Sequence, residues 1–366
     1  MDKTVQFRYD RSEIMSFHSS PLISLSDKGL YCEAGDFYID PHRAVEHAVV
    51  THAHSDHARR GSKNYYCEQS GVGLLKVRIG KKIQVTGIPF EETFTLGKVK
   101  VSFHSAGHIL GSAQVRVEYE GEVWVASGDY KRDPDPSCKP FKSVKCDTFI
   151  TEATFGTPKF VWDKNATHGK DIQAWWDENA SAGRNALLFG YSLGKTQRIL
   201  GELAPYAKKP ILLHSTMGEL TQCYRDEGIE LAPTRSLEKA IEEAKAEGRT
   251  FKEELILAPP SIQDESFNAL LGEHESAFAS GWVKTRNPFS QESYTKGFLM
   301  SDHADWNDLM QTIVETGAKT VYVQHRSGSL IRALRKKTIQ AHPVEALKME
   351  NYIRLGGREL SLFEDS

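Results

Sequence analysis

VVTHAHSDHARRG, from Val49 to Gly61, sets three histidines and an aspartate within the six residues His52 to His57, directly behind the apolar run Ala48, Val49 and Val50. His52 and His54 are two positions apart at the end of an extended segment, so their side chains point to one side. One metal ion can take both. Asp56 and His57 follow where the chain turns toward a helix, and they present a carboxylate and a third imidazole from a neighbouring direction. The layout suits two ions better than one. A histidine-rich surface loop is the bland alternative, but such a loop needs no buried strand to deliver it at ligand spacing.

Four ligands from one loop cannot close two coordination shells, so further ligands must come from distant segments. SAGHILGS supplies His108 between Gly107 and Gly111, two residues that let the backbone bend and present an imidazole at a strand end. VWVASGDY ends an apolar strand in Gly128 and Asp129, where a carboxylate can bridge two divalent ions. Alone, His108 reads as an ordinary strand-end histidine and Asp129 as a turn aspartate. With the first cluster, they converge on one site chemistry.

The 366-residue chain is 39% hydrophobic and 26% charged, the make-up of a folded, water-soluble protein with room for two domains or one domain with a large insertion. No apolar run approaches the roughly 18 residues of a membrane span, and MDKTVQFRYDRSEIM has no continuous apolar stretch after its charges. No membrane partner and a cytoplasmic location are expected. Net charge is −3, so a nucleic-acid site would have to be a local basic surface. Cys32, Cys67, Cys138, Cys146 and Cys223 are scattered without a C-x-x-C pair and read as reduced packing residues.

From Gly29 to Thr154 β-branched and aromatic runs alternate with Gly and Asp, a strand-rich pattern in which YEGEVWVA reads as a hairpin. From Lys170 to Lys284 helical stretches such as DIQAWWDENASAG and KTQRILGELAPYA alternate with short buried strands such as NALLF and PILLHS, as in a parallel sheet. The tail carries GFLMSDHADW, a helix near Asn307 to Thr316, the strand KTVYVQH and a basic helix near Leu330 to Ala341. LLFGYSLGKTQRIL suggests a P-loop, but only three residues separate Gly190 from Gly194, and that loop needs four. Its helix N-terminus, with Ser192 and Lys195, can meet a substrate phosphate or serve as a structural turn. RALRKK reads first as a solvated helix face and second as a phosphate track. His18, His42, His47, His104, His168, His214, His274 and His342 lack matched partners in sequence.

THAHSDH, AGHILGS and SGDY, in that order, resemble the second, third and fourth motifs of the metallo-β-lactamase fold, and Asp40 in FYIDP resembles its first. TEATFG with Glu152, SDHADW with His303 and VQH with His325 resemble motifs A, B and C of the β-CASP nucleases. One departure stands out: the motif C histidine is commonly followed by glycine, and here the chain reads His-Arg-Ser-Gly. The resemblance implies an α/β (α+β) architecture, an αββα sandwich with an inserted α/β β-CASP domain. The expected division is 1–180 and 291–366 for the sandwich and 181–290 for the insertion. It implies two divalent ions, zinc first and manganese second, with His52, His54 and His108 on one, Asp56, His57 and His325 on the other, and Asp129 bridging. His303 is then the candidate general acid, oriented by Glu152. The implied activity is metal-dependent phosphodiester cleavage of nucleic acid, with a DNA exonuclease of repair favoured over an RNA-processing nuclease, and a DNA ligase and helicase as partners. A thioester or small-ester hydrolase would use the same metals, but it has no evident need for Glu152, His303 and the insertion; a metal-free binding module should have lost ligands, and none is missing.

Overall fold

The structure is a computed structural model, and it describes residues 21–262, 271–285, 294–325 and 328–348. His18, Arg326, Ser327 and the stretch after residue 348 lie outside the described residues. Two sheets face each other. In the first, six strands between Ser24 and Ile88 lie side by side in chain order. The second is seven-stranded: Thr93–Leu96, Val99–Ser105, Ala113–Tyr119 and Glu122–Ala126 run antiparallel, and Thr148–Thr151, Thr320–Val323 and Gln340–Pro343 continue it in parallel.

Alternation of side chains along each strand builds the layers. Val49 and Trp124 enter the core between the two sheets, with Phe37, Phe103 and Val115. Ala48 and Val50 point the opposite way, onto the helix Val72–Ile79 through Leu74 and Leu75. Val125 does the same on the other sheet, meeting Leu309 and Ile313 of the helix Trp306–Thr316 and Leu330 and Leu334 of the helix Gly328–Lys336. The result is the expected αββα sandwich, each fully buried Leu, Val or Phe contributing about 1.5–3 kcal/mol.

Between Thr151 and Thr320, whose strands are parallel neighbours in one sheet, the chain builds a third sheet. Its order is Thr234–Ser236, Ile211–Leu213, Leu255–Ala258, Asn185–Phe189, His274–Ala279 and Lys296–Phe298, with every pairing parallel. Both faces are covered, one by the helices His168–Ser181 and Lys195–Leu203 and the other by Leu237–Ala246. The helix at 168–181 and the strand at 296–298 therefore belong with this sheet, so the inserted unit reaches past both ends of 181–290. The basic helix expected to run to Ala341 ends at Lys336, where the left-handed Thr338 (φ 62°) turns the chain into the edge strand Gln340–Pro343. Pairing with Thr320–Val323 outweighs helical propensity there. Among the described residues no helix is long and apolar enough to cross a membrane.

The segments carrying His52, His108, Asp129, Glu152, His325 and Tyr191 all follow the C-terminal ends of strands, the edge where α/β sheets present ligand-binding loops. Two of these exits need glycine. Gly107 has φ 70° and an added Cβ would lie 2.4 Å from the Lys131 carbonyl; Gly128 has φ 55° and its Cβ would lie 2.7 Å from Thr51 Cβ. Gly183 has a similar φ of 73° but open space around it. Gly183→Ala should cost only about 1 kcal/mol of backbone strain, whereas Gly107→Ala should cost more than about 2 kcal/mol because backbone must also move. Thermal unfolding of the two variants checks this, and equal falls in Tm would contradict it.

Candidate functional site

Three imidazoles converge at the exit of the strand His47–Val49. His52 Nε2 and His108 Nε2 each lie 3.0 Å from His54 Nδ1. Each ring is held from behind by a protein oxygen. His54 Nε2 donates to the Leu193 carbonyl at 3.2 Å, and His108 Nδ1 donates to the Asp302 carbonyl at 2.6 Å. His52 Nδ1 lies 3.0 Å from Thr51 Oγ1, which itself donates to Asp40 Oδ2 at 2.6 Å. The outward nitrogens therefore carry the protons, and three lone pairs point at one another. That arrangement is repulsive unless a cation sits among them, and a spacing of 3.0 Å is near the ~3.3 Å between two nitrogens bound at about 2.0 Å to one tetrahedral ion. The donor set fits a divalent metal.

Asp129 completes the group: its Oδ2 lies 3.5 Å from His52, 3.5 Å from His57 and 3.8 Å from His108. His52, His54, His108 and Asp129 form one potential metal-holding set and Asp129, Glu152 and His303 a second. Asp129 is common to both. The ligands expected for a second ion are only partly gathered. His57 Nε2 lies 3.6 Å from Asp56, whose carboxylate is exposed, and His325 stands exposed on the wall of the same cavity with a left-handed φ of 60°. Neither Asp56 nor His325 belongs to either set.

Asp40, the residue of the first motif, acts through others. Its two oxygens take the Thr51 amide at 2.8 Å and the Thr51 hydroxyl at 2.6 Å, and Oδ2 also accepts from His57 Nδ1 at 2.7 Å. One carboxylate thus fixes the orientation of both His52 and His57, the outer support that metal-binding imidazoles generally need.

Burial in a site this rich in nitrogen moves the titrations apart. It pushes His52 and His108 well below the ordinary histidine value, helped by the neighbouring imidazoles, and it lowers His54 as well. Burial would also lower His57, but the carboxylates of Asp129 and Asp40 outweigh it and hold that imidazole well above its usual range. Burial would raise Asp129, yet His57 and His303 hold it well below the carboxylate range.

Glu152 and His303, 151 positions apart, form the second constellation. His303 Nδ1 lies 3.0 Å from Oε2 of the fully buried Glu152, whose Oε1 takes the Tyr130 amide at 2.6 Å. Burial opposes charge on His303, but Glu152 and Asp129 raise it to about 9, so it is protonated at neutral pH. The His303 and His108 rings are 4.8 Å apart. His303 therefore borders the histidines of the first set and can carry a proton into the cavity.

The two aspartates flanking His303 have separate jobs. Asp305 caps the helix Trp306–Thr316, accepting the Asp308 amide at 2.8 Å. Asp302 is buried between two cations of the inserted unit, 2.8 Å from Lys195 Nζ and 3.4 Å from Arg198 Nη1. Lys195 Nζ also donates to the Met300 carbonyl at 2.5 Å and is 2% exposed. Its ammonium is thus paired inside the protein although the side chain also borders the cavity, and burial lowers its pKa to about 8. Ser192 lines the cavity, and its carbonyl accepts from Gln197 Nε2 at 3.1 Å. His168, which has no matched partner in sequence, is lowered to about 4 by burial together with Arg198 and Lys195. Leu193 and Asp302 were invisible in sequence as site residues because they contribute backbone carbonyls, which no side-chain pattern reports. The glycine-flanked SLGKT turn was the available signal.

These residues open on a cavity of about 750 Å3 that also includes Asp56, Arg78, Phe155, Tyr191 and Trp282. Its walls come from the sandwich and the inserted unit together.

No family model matches the chain. A protein named "Probable DNA ligase" from Opitutus terrae is 29% identical over 333 residues, 90% of this chain and 31% of that protein. An "RNase J-like protein" from Methanocaldococcus jannaschii is 24% identical over 199 residues, 48% of this chain and 47% of that protein. The chain thus spans about a third to a half of the length of these relatives, and further matches carry endoribonuclease or ribonuclease names. A solved structure, a protein of unknown function from Enterococcus faecalis V583, shares the fold at a TM-score of 0.51 over 77% of each chain, with 13% identity. Fold, motif order and relatives are together consistent with the metallo-β-lactamase/β-CASP nuclease family.

Because His57 is held protonated when no cation is present, a metal that uses it must displace a proton. Zinc affinity should therefore rise with pH until the raised His57 pKa is passed, and His57→Ala should flatten that rise. Titration calorimetry in buffers of different ionisation enthalpy reads the released proton directly; no net release near neutral pH would contradict it.

Proposed function

We propose that this chain is a metal-dependent phosphodiesterase that cuts nucleic acid, with two divalent ions, zinc or manganese, and a DNA exonuclease role in repair. The observation that carries the reading is the juxtaposition, in one cavity, of the His52–His54–His108–Asp129 set with the Glu152–His303 pair. An ester hydrolase needs the first and has no evident use for the second.

His52, His54 and His108 would hold one ion and Asp56, His57 and His325 the other, with Asp129 shared. Bound divalent ions would lower the pKa of a water molecule and offset charge that develops on phosphate oxygens. The chain's own groups do the rest. Asp40 and the carbonyls of Leu193 and Asp302 fix which imidazole nitrogen is free to bind. Glu152 keeps His303 protonated and accepts from its Nδ1, so that Nε2–H remains to be given to a leaving oxygen. Arg78 stands on the cavity wall, where a phosphate backbone would pass.

Two observations bear on DNA against RNA. The relative that matches 90% of the chain carries a DNA ligase name, while the one with the RNase J name matches 48%. The breadth of the first match favours DNA and a ligase-linked setting, with a helicase as a further partner; the ribonuclease names keep RNA processing as the second reading.

End-labelled single- and double-stranded DNA and RNA, incubated with the purified chain and zinc or manganese, test this directly. Cleavage should stop with a chelator, and Asp129→Asn should lower it at least about 10^3-fold, since a shared ligand and a buried charge are lost together. A fully active Asp129→Asn protein, or hydrolysis of thioesters and not of nucleic acid, would overturn the reading.

A further inference from the structure

Among the described residues the exposed large apolar side chains are Val161, Tyr191, Tyr206, Trp282 and Val314. Tyr191, 49% exposed, and Trp282, 38% exposed, both line the cavity that holds the metal set. They issue from neighbouring strands of the inserted sheet, Asn185–Phe189 and His274–Ala279, which pair in parallel with Phe189 opposite Phe278. Neither ring is loose. Phe155 and Phe160 approach Trp282 at 4.8 and 5.9 Å between centroids, and Phe278 meets Tyr191 edge-on at 6.3 Å. Phe155 also lies 5.9 Å from His303, which ties the Trp282 platform to the reacting end of the cavity.

Leaving two braced aromatic rings in solvent is unfavourable unless something covers them. A phosphodiester placed at the metal set carries a base on each side, and every base has a flat face that gains about 1–3 kcal/mol by stacking on an aromatic ring. Inside a duplex both faces of a base are already covered by its stacked neighbours, so only an unpaired or end base can offer one. Arg78, which lines the same cavity from the sandwich side, adds a positive charge for the backbone. We propose that Tyr191 and Trp282 form a stacking subsite for unpaired nucleobases beside the scissile phosphate, so that the substrate is a single strand or a frayed end. This rests on the nucleic-acid reading above and adds a strand preference that the metal ligands do not encode.

The test uses the full chain in a chelator, where cleavage is arrested. Fluorescence anisotropy measures Kd for a labelled oligothymidine, the same strand with abasic sites in its centre, a blunt duplex, and the matching RNA strand. Wild type should bind the base-bearing strand about tenfold more tightly than the abasic strand or the duplex. Tyr191→Ala and Trp282→Leu should each remove most of that difference, and Trp282→Phe should keep it. If DNA and RNA strands show the same base dependence, the subsite reads stacking and not the sugar, as expected for aromatic platforms. Equal wild-type binding of base-bearing and abasic strands would overturn the subsite, and this comparison needs no variant to fold. If wild type cleaves nucleic acid with metal yet shows no base dependence, only the subsite fails; if it cleaves no nucleic acid, the broader reading fails first.

Discussion

A carboxylate buried among imidazoles is the constraint from which the rest of this structure follows. Asp129 is 7% exposed and lies within 3.8 Å of His52, His57 and His108. A buried charge of this kind is tolerated only when opposite charge is fixed close by. The protein gathers these residues from segments far apart in the chain, and the gathering works because their strands end at the same edge of two facing sheets. Gly128 lets the chain turn against Thr51, and Thr51 in turn connects His52 to Asp40.

The inserted unit takes part in this cluster and does not merely cover it. Leu193 holds the back of His54, and Asp302, gripped by Lys195 and Arg198, offers its carbonyl to His108. Breaking such a buried pair from one side typically costs 3–5 kcal/mol. The orientation of the His54 and His108 imidazoles therefore depends on contacts made by loop and helix residues that follow strands of the third sheet.

Much of this was legible in the sequence. The run Val49 to Gly61 announced its chemistry through spacing, and Gly107, Gly111, Gly128 and Asp129 through turn residues at strand ends, because ligand geometry and left-handed backbone leave marks on residue choice. The strand-rich and helix-strand textures gave the sheets, and the αββα layering was implied by the resemblance of the motif order. Three things were hidden. Carbonyl contacts from Leu193 and Asp302 leave no side-chain signature. Lys195 read equally as a phosphate contact or part of a structural turn because a lysine at a helix start is locally ambiguous, and only the distant Asp302 shows its ion pair. The end of the helix after His325 was misplaced because pairing at a sheet edge, a non-local gain, outweighed a locally helical pattern.

We propose that the histidines around Asp129 form a metal centre for two ions. Crystals grown with zinc and measured on both sides of its absorption edge test it most directly. Two anomalous peaks are predicted about 3.5–4 Å apart, one enclosed by His52, His54 and His108, the other reached by His57, Asp56 and His325, with Asp129 touching both. A single peak, or none, at saturating zinc would contradict a two-ion centre.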